Sequence, residues 1–113
     1  MARYRLLAMT NAKSGREAEY NCWFDEVHIP DVLAVDGFVS AQRFRLAPAQ
    51  RTPAPHPYQF AAIYELETHD LPTTLNALGH AVQNGGKTDS GDPTQRGLWV
   101  YEEIGPLRTK NSQ

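Results

Sequence analysis

Residues 20–30, Tyr20 to Pro30, read YNCWFDEVHIP. The run sets aromatic side chains, two carboxylates and a histidine in one short helical segment and ends it with a proline. Trp23, Phe24 and Val27 can bury the segment against a core. On a regular helix Asn21, Asp25 and His28 fall at i, i+4 and i+7 and share a face. A carboxylate three residues before an imidazole can hold its tautomer and raise its basicity. No other stretch of the chain offers acid–base chemistry as clearly.

Working outward, the helix starts near Gly15. Ser14 stands as N-cap and Glu17 follows three residues on, the spacing of a capping box. Ala18, Cys22 or Trp23, and Val27 form the expected buried stripe. Pro30 is expected to stop the regular helix, leaving 31–35 as one further turn before Asp36-Gly37. Upstream, residues 3–10, RYRLLAMT, have strand character and run into the turn formers Asn11, Ser14 and Gly15.

Downstream, 38–46, FVSAQRFRL, is a second strand. Simple alternation puts Phe38, Ser40, Gln42, Phe44 and Leu46 on one face, with Val39, Ala41, Arg43 and Arg45 on the other. Residues 47–57 hold prolines at 48, 53, 55 and 57 and form a loop. Residues 58–67 make a third strand, with Tyr58, Phe60, Ala62, Tyr64 and Leu66 on one face. Asp70 then caps a helix with Pro72 in its first turn and an apolar stripe of Leu71, Leu75, Leu78 and Val82, ended by Gly85-Gly86. After a polar loop over 87–95, residues 97–104 form the last strand, and the tail from Arg108 is expected to fray.

The order is β-α-β-β-α-β, the split βαβ unit of ferredoxin-like folds. The fold class is therefore α+β: a four-stranded antiparallel sheet with two helices on one face. The other face should be polar, yet both faces of the later strands carry large apolar or aromatic groups. Trp99 and Tyr101 alternate with Leu98 and Val100. Packing of that second face against a copy of itself, in a homodimer, resolves the conflict.

The 113 residues amount to one domain, 1–113, and a chain of this length builds only a modest core by itself. A net charge of −2 with no basic run argues against nucleic-acid binding. Arg3, Arg5, Arg43 and Arg45 read as solvated or paired surface charges. The one cysteine, Cys22, allows no internal disulfide and reads as a buried thiol in a reducing cytoplasm. The first residues read as a mature strand rather than a signal peptide, and no apolar run approaches a membrane span, so no membrane association is expected.

With these elements in place, residues 23–46, WFDEVHIPDVLAVDGFVSAQRFRL, resemble the W-[FY]-[DN]-x-x-H-[ILV]-P-D-x-x-x-x-x-G-[FY] signature of EthD-like proteins in the dimeric α+β barrel superfamily. Trp23, Asp25, His28, Pro30, Asp31 and Gly37-Phe38 fall in register with it, and the element order extends the resemblance over nearly the whole chain. The resemblance implies a homodimer with a cavity in each protomer between sheet and helices, faced by His28. It leaves the reaction open. The superfamily includes cofactor-free polyketide cyclases, antibiotic-biosynthesis monooxygenases, muconolactone-type isomerases and haem-dependent dehydratases.

His28 is the leading candidate for a general base, oriented by Asp25, with Asp31 and Glu26 as alternative partners. The competing reading has His28 bonded to backbone carbonyls at a helix end, where the dipole favours its cation. Tyr64, on the same strand face as Tyr58, could donate to a substrate carbonyl or enolate, or be core with a satisfied hydroxyl. Trp23, Phe24, Phe44 and Trp99 would wall an apolar pocket, with Asp31 and His80 as further binding candidates; they serve equally as core or surface. The four histidines show no metal-ligand spacing, so no metal is expected. No cofactor is expected either, with haem on one histidine as the minor alternative. The reading is a cofactor-independent enzyme that takes a proton from a small hydrophobic, aromatic or carbonyl-bearing metabolite, leading to isomerisation, cyclisation or elimination. The alternatives are a cofactor-free monooxygenase and a non-catalytic ligand-binding protein of a catabolic cluster.

Overall fold

The computed structural model describes residues 1–111; the last two residues of the tail, Ser112 and Gln113, lie outside them. Four strands, β1 (Ala2–Thr10), β2 (Phe38–Arg45), β3 (Phe60–Thr68) and β4 (Gly97–Glu102), form one antiparallel sheet in the order β2-β3-β1-β4. Helical segments α1 (Glu17–Trp23), a π-turn (Phe24–His28) and α2 (Ile29–Leu33) follow β1, and α3 (Leu71–Asn84) follows β3. This is the ferredoxin-like α+β arrangement. The core lies between sheet and helices. Leu6 and Ala8 of β1 and Ala62, Tyr64 and Leu66 of β3 meet Tyr20, Phe24 and Val32 from the first helical stretch and Leu78 from α3.

The first helical stretch departs from expectation at both ends. Its N-cap is Arg16, with no side-chain cap bond. Gly15, at φ +82, turns the chain between Ser14 and the helix, so the Ser14/Glu17 capping box does not form. Pro30 does not stop the helix. The Ile29 N–H donates to the Phe24 carbonyl five residues back, and helix resumes as α2. A proline inside an α-helix would leave a lost hydrogen bond and a ring clash at the carbonyl four residues back. The wider i→i+5 turn absorbs both just ahead of Pro30.

The buried stripe also differs from expectation. Tyr20, Phe24 and Val32 are buried, whereas Ala18 and Cys22 are exposed. Cys22 is therefore not a core thiol; it lies 3.5 Å from Glu26 Oε2, and that hydrogen bond raises its pKa. The second helix follows expectation. Asp70 accepts from the Thr73 N–H at 3.2 Å, and Leu71, Leu75 and Leu78 pack on the core, although Val82 at the end of the stripe is exposed.

A bulge between Phe38 and Ser40 shifts the register of β2 on β3. Phe38 pairs with Leu66 on the helix side and sets its ring edge-on to Tyr64, while Ser40, Gln42 and Phe44 pair with Glu65, Ile63 and Ala61 on the opposite face. Simple alternation had put Phe38 and Phe44 together; one extra residue exchanges the faces beyond the bulge. The open face divides in two. One half carries ion pairs, Arg3–Glu67 at 3.1 Å and Arg5 with Glu65 at 3.6 Å and Glu103 at 3.2 Å. The other half carries Leu7, Met9, Ile63, Phe44 and Trp99.

Gly37 makes the turn into β2 at φ +98, its carbonyl accepting from the Glu67 N–H at 2.8 Å. A Cβ there would meet Thr74 Cγ2 at 3.2 Å and the Glu67 carbonyl oxygen at 3.3 Å. Gly37→Ala is expected to cost at least about 1 kcal/mol, read as a lower urea midpoint with unchanged slope. An unchanged midpoint would show that the turn relaxes freely.

Candidate active site

A cavity of about 680 Å³ opens between the sheet and the helices. Its floor is Leu6, Ala8 and Thr10 of β1, Tyr64 of β3, and Leu98 and Val100 of β4. One wall is Tyr20, Trp23, Phe24, His28 and Val32; the other is Leu75, Leu78, Gly79 and Val82 of α3. Arg96 and Gly97 complete the lining where the chain enters β4. The lining is mostly apolar, with few polar groups, as small-molecule sites commonly are.

His28 reaches this cavity from the π-turn. Its ring stacks on Trp23, centroids 4.9 Å apart at 22°, and meets the edge of Phe24 at 4.8 Å and 71°. No hydrogen bond to the ring is formed among the described residues, and His28 stands mid-way along the helical stretch rather than at its end. Burial among these rings pushes its pKa below the ordinary 6.5; Asp31 opposes the shift and Arg43 adds to it. The neutral imidazole is thus the resting form at neutral pH.

Asp25 does not orient this imidazole. Together with Asn21 it points to β2, where Arg43 donates to Asp25 Oδ1 at 3.2 Å and to Asn21 Oδ1 at 2.9 Å. The i, i+4 relation of Asn21 and Asp25 survives, but the wider π-turn, which runs from Phe24 to His28, takes His28 out of their register. Arg43, read from the sequence as a solvated or paired surface charge, is paired but does not lie at the surface. Its side chain is only 14% exposed, with the guanidinium 4.4 Å above the Phe24 ring and 5.3 Å from that of Phe60. It occupies an inward position beside Ala41, which the bulge assigns to the core side. An arginine among inward-facing strand positions was the available signal.

Asp31 accepts from the Gly86 N–H at 3.1 Å, and Trp23 Nε1 donates to the Gly86 carbonyl at 3.3 Å. These two candidates therefore tie the Gly85-Gly86 corner after α3 to the first helical stretch. Trp23 lines the cavity while doing so; Asp31 acts on His28 only through its charge.

Tyr64 is 2% exposed, lines the cavity, and its hydroxyl has no hydrogen-bond partner. Burial pushes its pKa well above the ordinary 10, so the O–H stays protonated. Tyr20, absent from the sequence-based candidates, also lines the cavity; burial raises its pKa, and the nearby Thr10 hydroxyl works against that shift. Three candidates lie elsewhere. Trp99 points to the open face, 48% exposed, because Leu98 and Val100 take the cavity side of β4. Phe44 also lies on the open face, and His80 is exposed on α3 outside the cavity lining. Among the described residues no group of three or more His, Cys, Asp or Glu side chains is placed to hold a metal ion, and no helix is long and apolar enough to cross a membrane.

No family model and no curated protein matches the sequence. Solved structures do match in fold. An EthD family protein from Bacillus halodurans superposes with a TM-score of 0.61 at 14% identity, over 92% of this chain and 100% of that one. The heme-degrader MhuD from Mycobacterium tuberculosis, solved with two hemes bound in its active site, gives 0.64 at 14% identity over 93% and 99%. A candidate monooxygenase from Shewanella loihica gives 0.59 at 14% identity over 94% and 99%. The chain thus shares the ferredoxin-like α+β fold of these proteins, an EthD family protein among them. That fold hosts more than one chemistry, so the chemistry here has to be argued from the cavity.

Proposed function

We propose that the protein is a cofactor-independent enzyme acting on a small aromatic or carbonyl-bearing metabolite by proton transfer through His28. The observation that carries this reading is the pairing, in one apolar cavity, of a neutral imidazole with a buried tyrosine hydroxyl that has no partner. A substrate carbonyl oxygen would accept from the Tyr64 O–H. His28 would take a proton from the adjacent carbon; the C–H electrons move into the C–C–O system to give an enolate, which Tyr64 stabilises. The imidazolium then returns the proton to a different atom or to a leaving group, giving isomerisation, cyclisation or elimination. Trp23 and Phe24 fix the imidazole plane by stacking, the part first assigned to Asp25.

The test is a thermal-shift screen of wild type and His28→Asn against small aromatic and polyketide-like carbonyl compounds, followed by turnover of each hit. Compounds that stabilise both proteins but are turned over by wild type alone support the enzyme. Compounds bound equally and turned over by neither favour a non-catalytic ligand-binding protein.

A second reading, a haem protein, draws on the same neutral imidazole. His28 would hold the iron and Arg96 would pair with a propionate; a bound haem would supply redox chemistry. The Tyr64 hydroxyl has no part in that arrangement, which is why it ranks second. A Soret band on adding hemin that His28→Ala abolishes would overturn the preference.

The homodimer also remains a proposal, supported by the apolar half of the open sheet face. Sedimentation at micromolar concentration should give a dimer, and Trp99→Glu should shift it to monomer. A wild-type monomer sinks the idea.

A further inference from the structure

Among the described residues, Arg96 is the only side chain lining the cavity that carries a full charge at neutral pH, since His28 rests neutral. It stands immediately before β4, at the even position that continues the inward-facing series Leu98 and Val100. The residue is exposed at the cavity rim, and no carboxylate among the described residues lies within ion-pair distance of it. It faces the cavity end bounded by Thr10 and Tyr20, close enough for its charge to lower the Tyr20 pKa against the effect of burial.

Tyr64 marks the other end. Leu6 pairs with both Tyr64 and Val100, so the Tyr64 rung is four residues along the strand from Arg96, or about 14 Å of sheet. Between them the floor is Leu6, Ala8, Leu98 and Val100. The cavity therefore offers an unpaired cation at one end, an unpaired hydrogen-bond donor at the other, and apolar surface between. A guanidinium matches a carboxylate by two parallel N–H donors, a geometry that a neutral ester cannot reproduce with the same charge.

We infer that Arg96 forms an anion subsite, and that the ligand is an aromatic carboxylate with a carbonyl at its far end: carboxylate on Arg96, ring over the apolar floor, carbonyl oxygen on Tyr64. The inference rests on the reading of the cavity as a proton-transfer site, and it adds the substrate class.

The probes are 4-acetylbenzoate and its methyl ester, which share the ring and ketone and differ only in the charge. Wild type should bind the acid at least about tenfold more tightly than the ester, the size of one modest charge-assisted contact. The advantage should shrink as salt is added. Arg96→Gln should remove the preference by weakening the acid far more than the ester, and Arg96→Lys should restore part of it. Equal binding of acid and ester by wild type, an acid preference that survives Arg96→Gln, or binding of neither probe overturns the subsite.

Exchange of the acetyl methyl protons in heavy water, followed by NMR, reads His28 separately. A charge preference without exchange leaves the subsite standing and removes support from the enzyme. Exchange with no charge preference does the reverse.

Discussion

His28→Asn is expected to lower turnover of an accepted carbonyl substrate by about 10²–10⁴-fold, the usual contribution of a positioned general base. Asparagine keeps much of the imidazole's volume and a hydrogen-bonding end but cannot take up a proton, so ligand affinity should change little. A mutation that removes transition-state interactions alone lowers kcat and kcat/KM together. The wild-type pH profile supplies the second half of the expectation. The active form is the neutral imidazole, so kcat/KM should be level at neutral pH and fall on acidification. The break should lie below the ordinary 6.5, because burial disfavours the imidazolium.

Folding stability should move in the same direction. Unfolded, His28 takes up its proton near 6.5; folded, it does so only at lower pH. Its contribution is therefore intact above 6.5 and is lost as pH falls through the folded value. A kinetic break above 6.5, or a substitution that spares kcat, would remove His28 from the mechanism.

Tyr64→Phe should move stability and activity in opposite directions. The hydroxyl is buried with no partner in the free protein, and an unsatisfied buried polar group costs about 1–3 kcal/mol. Phenylalanine keeps the ring, its packing against Phe38 and the place of the side chain among Leu6, Ala62 and Leu66. The variant should be more stable by up to that amount, seen as a higher melting temperature. Turnover should fall by about 10²–10³-fold, as when one oxyanion donor is removed. Because burial holds the Tyr64 pKa high, its ionisation should add no alkaline limb to the profile at working pH. A variant that is less stable would mean the hydroxyl has a partner without ligand; one that is more stable and fully active would make Tyr64 a packing residue.

Much of the fold was legible because its signals are local. A short apolar run ended by turn formers marks β1, alternation of side chains marks β3, and Asp70 with Pro72 marks the start of α3. Gly37 shows as a turn because its position demands a positive φ. The motif around His28 likewise drew attention to a helical segment that lines the cavity and, with Tyr64, to two side chains in that lining.

Two of the misplacements share a cause: a single extra residue changes the phase of a periodic pattern, which composition and spacing do not reveal. The π-turn before Pro30 separated His28 from Asp25, and the bulge after Phe38 sent Phe44 outward while turning Arg43 inward. Trp99 was misassigned for a related reason. Both faces of β4 carry large apolar groups, so alternation identified two faces without saying which one meets the helices.

The sequence by itself thus determined the element order, the α+β class and the presence of an imidazole at the helix that covers the sheet. Only the tertiary structure decided which groups share the cavity. That choice depends on register between distant strands and on one inserted helical residue. Both are settled by long-range packing and by where buried polar atoms find partners: Arg43 finds Asp25 and Asn21, and the Tyr64 hydroxyl finds none.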